Sequence, residues 1–112
     1  MNDPVPTDMA VAAQIRIAAR QGIPIVVIHR GDNNSGVLFL KINRLDGTAQ
    51  VMTQVRVNDE LFWAPVKSAA SMTEPEADAY LERQASTDPD AWLIEIEDRQ
   101  GRIWFPGRVL AE

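Results

Sequence analysis

The sequence contains no cysteine and only one histidine, His29, among its 112 residues. The absence of cysteine excludes disulfide bonds, zinc thiolate sites and a thiol nucleophile, and it is typical of a reducing compartment. A nucleophilic triad would require His29 to meet a serine or threonine and a carboxylate, and no motif around it supports one. We therefore predict that His29 is a partly buried strand-end side chain on the face of Ile25 and Val27, and we assign no catalytic residue.

Long apolar runs are also missing. The longest, IPIVVI and VLFL, are far shorter than the ~20 residues that a membrane-spanning helix requires. The N-terminal segment MNDPVPTDMAVAAQIRIAARQG has neither the basic start nor the continuous apolar stretch of a signal peptide. We therefore expect a cytoplasmic protein without membrane contacts, folded as a single domain over residues 1–112 with a disordered N-terminus at 1–6.

Basic charge is scarce, since 16 acidic residues outnumber 11 basic ones and give a net charge of −5. The distribution is uneven, because residues 1–56 carry six Lys or Arg against four Asp or Glu, whereas residues 57–112 carry five against twelve. This balance argues against a protein that binds nucleic acid over its whole surface, but it permits a local basic patch in the first half.

Capping signals indicate two helices. The first begins at Thr7 or Asp8 and runs to about Gln21, where Gly22 provides a stop signal. The second, TEPEADAYLERQ, opens with a Thr-x-x-Glu capping box.

Strand signals are found in six segments: IPIVVIH, VLFLKIN, AQVMTQVRV, LFWAPV, AWLIEIE and RIWF. The first two are separated by HRGDNNSG, whose turn-forming residues predict a hairpin and explain its Arg-Gly-Asp triplet without an adhesion role. Short connections require antiparallel pairing. We therefore predict an α+β fold with a mostly antiparallel sheet of five to six strands and two helices, in the order α-β-β-β-β-α-β-β.

Three stretches, LKINRLDGTAQVMTQ, EPEADAYLERQ and DPDAWLIEIEDRQGR, resemble a family of small alphaproteobacterial proteins, domain of unknown function 1491. The resemblance spans roughly residues 8–102. It implies a bacterial, cytoplasmic, stand-alone domain, and the family supplies no reaction, cofactor or catalytic residue to carry over. The tail IWFPGRVLAE departs from the family pattern.

Two hypotheses about function follow from the surface chemistry. Aromatic and arginine residues are enriched where proteins meet, so RIWFPGRVL favours a non-enzymatic protein-interaction or adaptor domain with an unknown partner or a second copy. The alternative is a weak nucleic-acid-binding domain with a basic patch on the sheet and Phe39 for stacking, although alternating charge on a solvated sheet explains the same residues. The predicted interaction surface comprises Arg30, Lys41, Arg44, Arg56, Trp104 and Phe105.

An enzyme is the third hypothesis, and it would depend on an acidic cluster in the second half. Such carboxylates can hold magnesium or calcium, or supply an acid and base pair. Their spacing matches no known metal-binding loop, so we favour a non-enzymatic protein and assign no cofactor or metal. The cluster comprises Asp88, Asp90, Glu95, Glu97 and Asp98.

Overall fold

The computed structural model describes residues 5–34, 36–67 and 71–110, and it contains a seven-stranded sheet with one helix on each face. Residues 1–4, on which most of the predicted disorder falls, lie outside the described residues. In chain order the elements are α1 (Thr7–Ala19), β1 (Ile25–His29), β2 (Leu38–Asn43), β3 (Thr48–Val57), β4 (Glu60–Pro65), β5 (Met72–Thr73), α2 (Glu74–Thr87), β6 (Trp92–Glu97) and β7 (Arg108–Val109).

The α+β class and the predicted order of elements from α1 to β6 are confirmed, with the two-residue β5 added before α2. The sheet order is β1-β6-β2-β3-β4-β7, and β5 pairs with β3. The sheet is mixed rather than mostly antiparallel, because β6 runs parallel to β2 and β7 runs parallel to β4. The connection from β2 to β6 includes two long strands and α2, which provides ample chain for a parallel crossover.

The predicted β1–β2 hairpin is wrong, because β6 lies between these two strands and pairs with both. The segment joining them wraps around the start of β6. The Asp32 amide donates to the Asp90 carbonyl oxygen at 3.0 Å, and Trp92 Nε1 donates to the Asp32 carbonyl at 2.8 Å. A Cβ at Gly31 or Gly36 would overlap the Asp90 carbonyl oxygen. These glycines therefore permit a close backbone approach, in addition to any turn.

Each face of the sheet carries its own core. Successive strand residues point to opposite faces, so β2 and β6 each contribute to both cores. The α1-face core includes Val11, Ala18, Leu40, Ile42, Trp63, Trp92, Ile94 and Phe105. The α2-face core includes Ala49, Val51, Met72, Ala77, Leu81 and Leu93.

The two helices begin differently. The capping box of α2 is confirmed, since Thr73 Oγ1 accepts from the Glu76 amide and Glu76 Oε1 accepts from the Thr73 amide at 2.9 Å. The predicted cap of α1 is wrong, because its N-cap is Pro6 and no side chain caps it. Within the described residues, no helix is long and apolar enough to cross a membrane.

The predicted strand RIWF is also wrong, and the last strand is β7, further along the chain. The segment instead folds around Asp98, which is 2% exposed. Its carboxylate accepts from Arg102 Nε at 2.7 Å, Trp104 Nε1 at 2.8 Å and the Gln100 amide at 2.8 Å. Trp104 has a φ of 67°. A local carboxylate therefore organises this turn and prevents the extended geometry predicted for RIWF.

Acidification is expected to remove the contribution of Asp98 to stability. Burial by itself would raise the pKa of this carboxyl, but the hydrogen bonds from Arg102, Trp104 and Gln100 outweigh burial and hold the pKa below its ordinary value of 3.8. Because the folded pKa is below the unfolded one, the stabilisation is present above the unfolded value and is lost as the pH falls through the folded value.

Asp98→Asn tests this expectation, because asparagine has nearly the same shape as aspartate but lacks the negative charge to which the three donors bind. The free energy of unfolding at neutral pH should fall by about 2 kcal/mol, as for a charge-assisted hydrogen bond. Guanidinium unfolding between about pH 5 and pH 2 should show a smaller acid-induced loss in this variant than in the wild type. Asp59→Asn, in the exposed β3–β4 turn, is the control. Parallel losses in Asp98→Asn and the wild type would contradict the assignment.

Candidate functional site

A groove with a volume of about 420 Å³ opens between the end of β1 and α2, and we call it the α2 groove. Its size falls in the range of ligand pockets, and an apolar floor with a few polar groups is their usual composition. The apolar lining residues are Ile28, Leu81, Ala85 and Leu93, and the polar ones are His29, Asp78, Glu82 and Ser86.

A bulge in β1 brings two consecutive side chains to this groove. Val27 pairs with Ile94 and His29 pairs with Leu93, so Ile28 is an extra residue in β1. Strict alternation would send Ile28 and His29 to opposite faces of the sheet, whereas both line the groove. Bulges of this kind re-aim side chains and are common beside functional sites. The predicted position of His29 on the face of Ile25 and Val27 is therefore wrong, and the bulge is the physical reason.

His29 is partly buried at the end of β1, as predicted. Its Nδ1 lies 3.0 Å from the Ala91 carbonyl oxygen. Since a carbonyl can only accept, Nδ1 carries a proton and donates to it. In the neutral ring this leaves Nε2 as the acceptor.

Lys41 is the largest departure from the predicted surface, because its side chain is 2% exposed and lies under the start of α2. Its Nζ is 2.7 Å from Asp78 Oδ1, 3.0 Å from Glu74 Oε1 and 3.5 Å from Glu95 Oε2. Asn43 Nδ2 donates to Glu74 and Glu95, which closes the network. Lys41 is therefore a structural cation and not part of an exposed basic patch, which corrects the prediction.

Two opposing influences act on the ammonium group of Lys41. Burial lowers its pKa, but hydrogen bonds to Asp78 and Glu74 and the charges of Glu95 and Asp78 prevail, so the pKa is raised above 10.5. The side chain therefore stays charged at neutral pH. Asp78 belongs both to this network and to the lining of the α2 groove.

The three predicted arginines lie in separate environments. Arg30 faces α1, with its guanidinium carbon 5.0 Å from the Trp92 ring centroid and its Nη2 3.5 Å from Asp8 Oδ2. Arg44 is half-buried and packs against Gly101. Arg56 is exposed and donates to the carbonyl of the β3–β4 turn at 3.0 Å. The fold thus does not assemble them with Lys41 into one patch.

The two aromatic residues of the predicted interaction surface, Trp104 and Phe105, make most of their contacts within the fold. Phe105 is 7% exposed and packs edge-on against Trp63, with ring centroids 6.3 Å apart. Trp104 is half-buried, bound to Asp98 and covered by Arg102, whose guanidinium carbon is 4.8 Å from the ring centroid. Phe105 therefore belongs to the core, which corrects its place on the predicted interaction surface.

The acidic cluster is dispersed among local structures. Asp88 caps the end of α2 and accepts from the Asp90 amide at 3.1 Å, while Glu95 belongs to the Lys41 network and Asp98 organises the C-terminal turn. Within residues 5–34, 36–67 and 71–110, no group of three or more His, Asp or Glu side chains is placed to hold a metal ion.

One edge of the sheet is formed by β1, beside the α2 groove. In the described part of the chain β1 pairs only with β6. Two of its side chains, Val26 and Ile28, remain 51% and 47% exposed although both are large and apolar. Edge strands are usually protected from further pairing by charged residues, proline or a bulge, and β1 has a bulge at Ile28 but no Asp, Glu, Lys, Arg or Pro between Ile25 and His29. Sequence alternation identified β1 as a strand but gave no signal that its outer edge is open.

Comparison with known proteins finds a match to the family model described as "Protein of unknown function (DUF1491)" over residues 5–106. A crystal structure of a DUF1491 family protein from Caulobacter crescentus matches with a TM-score of 0.84 and 39% identity, covering 96% of this chain and 100% of that one. An NMR structure of a DUF1491 family protein from the same organism matches with a TM-score of 0.83 and 38% identity, covering 98% and 100%.

A solution structure of a protein from A. tumefaciens shares the fold, with a TM-score of 0.68 and 24% identity over 83% of this chain and 85% of that one. No curated protein matches the chain at a significant level.

Proposed function

This chain belongs to the DUF1491 family, whose function is unknown. From the surface features of the chain, we propose that it is a non-enzymatic protein-interaction domain. The proposed mode of binding is the addition of an extended segment of a partner protein to β1. The observation that carries the proposal is the apolar outer edge of β1 next to the α2 groove, which no other described strand covers.

Backbone geometry supports this mode of binding. The Glu97 amide donates to the Pro24 carbonyl at 3.0 Å, so these two residues form a hydrogen-bonded pair. Such pairs alternate along antiparallel strands, which turns the N–H and C=O groups of Ile25 and Val27 away from β6. These groups are available to a further strand, whose main-chain hydrogen bonds would supply affinity.

The α2 groove supports the proposal because recognition by strand addition also needs a pocket for alternate side chains of the added segment. Ile28 lines the groove from β1, while Leu81 and Ala85 line it from α2. An apolar side chain of the partner would bury the exposed surface of Ile28 and gain roughly 25 cal/mol for each Å² of apolar surface removed from water.

The other two hypotheses have less support. Binding of nucleic acid by a basic patch required Lys41 on an exposed face, and Lys41 is buried among carboxylates. No observation favours an enzyme over a binding domain. The cytoplasmic location stays a prediction from the sequence.

Retention of a partner by the immobilised chain tests the proposal, with Ile28→Asp as the variant. A charge at this exposed position should leave the fold intact but oppose insertion of an apolar side chain into the α2 groove. From a lysate of the native bacterium, we expect the wild type to retain a defined protein and Ile28→Asp to lose at least about nine-tenths of it, as for loss of a contact near 1.4 kcal/mol.

Val57→Asp is the matched control, since Val57 is 41% exposed at the far end of β3 and undergoes the same change. It should retain as much partner as the wild type. Equal retention by Ile28→Asp, or recovery of nothing above the bare matrix, would refute an interaction at β1.

A further inference from the structure

We infer, on the basis of the proposed function, that the segment recognised at β1 is basic: an apolar side chain enters the α2 groove between two lysine or arginine side chains. The open edge of β1 could pair with a segment of any charge, so the basic character of the partner is a further specification. The inference follows from the charges that surround the groove.

The groove is negatively charged at its α2 side. Asp78 and Glu82 both line it, and Glu74 and Glu95 are bound to the same lysine as Asp78. Three carboxylates thus face one ammonium group, that of Lys41, and Glu82 is a further acid on the groove. Glu82 is exposed and lies one helical turn from Asp78, so both acids are within reach of a segment placed along β1.

Two positive charges near β1, those of Arg30 and Lys41, are directed elsewhere. Arg30, which follows β1 directly, stacks on Trp92 and approaches Asp8 on the α1 side of the sheet. Lys41 is buried and bound to its carboxylates. A partner with basic side chains would therefore meet an excess of negative charge on the α2 side, which favours association and disfavours acidic segments.

A second copy of this chain is a poorer occupant of the same edge. Antiparallel pairing of two β1 strands about a twofold axis perpendicular to the sheet would place both α2 helices on the same face of one continuous sheet. Asp78 and Glu82 of each copy would then face those of the other across the seam, and each chain has a net charge of −5. Like charges oppose such a contact.

Two blocked heptapeptides test the inference. Acetyl-Thr-Lys-Val-Leu-Val-Lys-Thr-amide places leucine between two lysines on one face of a strand, and acetyl-Thr-Glu-Val-Leu-Val-Glu-Thr-amide replaces both lysines with glutamate. Each is titrated to about 1 mM into the ¹⁵N-labelled full chain, and amide shifts are followed by NMR. We expect the lysine peptide to shift the amides of Ile25 and Val27 together with those around Leu81, and the glutamate peptide to shift none of them.

Two variants test where the lysine peptide binds and whether its binding depends on the negative charge of the α2 groove. Val27→Pro removes an outward N–H without touching the pairing with β6, a position that edge strands tolerate, and it should abolish binding of the lysine peptide. Glu82→Lys should weaken binding about fivefold, less so at high salt, since surface ion pairs are small and screened. Asp59→Lys makes the same change of charge in the β3–β4 turn and should leave binding unchanged.

Each outcome separates the two proposals. Equal binding of both peptides at β1, abolished by Val27→Pro, would overturn the basic partner and keep strand addition. No shift with either peptide, or shifts confined to the β4 and β7 side, would overturn both. Dimerisation of the free chain through β1, seen by sedimentation and removed by Val27→Pro, would replace the basic partner with a second copy.

Discussion

Leu40→Asp is expected to abolish folding at room temperature. Leu40 lies in β2 between β3 and β6, and its side chain is completely buried in the α1-face core. A carboxylate at this position would have no partner, and the cost of several kcal/mol compares with a total stability of about 5–15 kcal/mol for a domain. Circular dichroism and NMR should show loss of the helical signal and of dispersed amide resonances.

Leu45→Asp is the control for this substitution, because it introduces the same charge outside the core. Leu45 is 42% exposed and has a φ of 63°, a conformation that aspartate tolerates better than leucine. Its free energy of unfolding should stay within about 0.5 kcal/mol of the wild type. If Leu40→Asp melts like the wild type, the Leu40 side chain does not face the core and this register of β2 is incorrect.

Lys41→Met is expected to lower the free energy of unfolding by about 3 kcal/mol at neutral pH. The substitution keeps most of the apolar stem but leaves Glu74, Asp78 and Glu95 close together without a counter-charge. Breaking a buried ion pair costs about 3–5 kcal/mol, and the lower end applies here because Glu74 and Asp78 remain partly exposed to water. Urea unfolding of both proteins measures the difference.

The pH dependence of the difference in free energy of unfolding shows whether Lys41→Met destabilises the fold by removing a charge or by changing the packing. The difference between Lys41→Met and wild type should be at its full size at neutral pH and should narrow as the pH rises beyond 10.5, because the wild type loses the charge of Lys41 there. In the wild type the raised pKa of Lys41 stabilises the fold fully below the unfolded value of 10.5, and this stabilisation is lost as the pH rises through the folded value. Lys67→Met, at an exposed lysine, should change stability little. A difference that stays constant as the pH rises beyond 10.5 would indicate packing instead.

The parts of the fold that were predicted correctly depend on local signals. The capping box at Thr73 and Glu76 fixes the start of α2 through contacts three residues apart. Asn58 and Asp59 in the β3–β4 turn are residue types that favour turns, and both have positive φ, as a type I′ hairpin turn requires. Alternation within VLFLKIN is a local signal too, and it holds in β2, where Leu40 lies in the α1-face core and Lys41 lies on the opposite face under α2.

The errors arise where distant segments meet. Nothing near HRGDNNSG reveals that β6 will enter between β1 and β2, since the hydrogen bonds to Asp90 and Trp92 join residues far apart in the chain. The face of β2 that carries Lys41 resembles a solvated face until α2 covers it with Glu74 and Asp78. Only the tertiary structure converts that lysine from a surface charge into a buried one.

The candidate site was mostly inaccessible to sequence reasoning. His29 was singled out and given its correct degree of burial, but Ile28 and Glu82 were not recognised as its neighbours in the α2 groove. The bulge that turns Ile28 and His29 toward α2 has no sequence marker, because bulges depend on the pairing partner as much as on the bulged strand. The predicted surface around Trp104 and Phe105 failed because Asp98 and Trp63 hold these rings.

The position of β6 between β1 and β2 also constrains the order of folding. During synthesis, β1 and β2 leave the ribosome long before residues 92–97 are made, and neither can complete its native pairing until then. β1 and β2 must therefore stay apart until β6 has been synthesised. They must not pair with each other as the hairpin that HRGDNNSG suggests. Non-local pairing of this kind slows folding, so the last step should be the insertion of a central strand, with the nascent chain exposing both strand edges until it occurs.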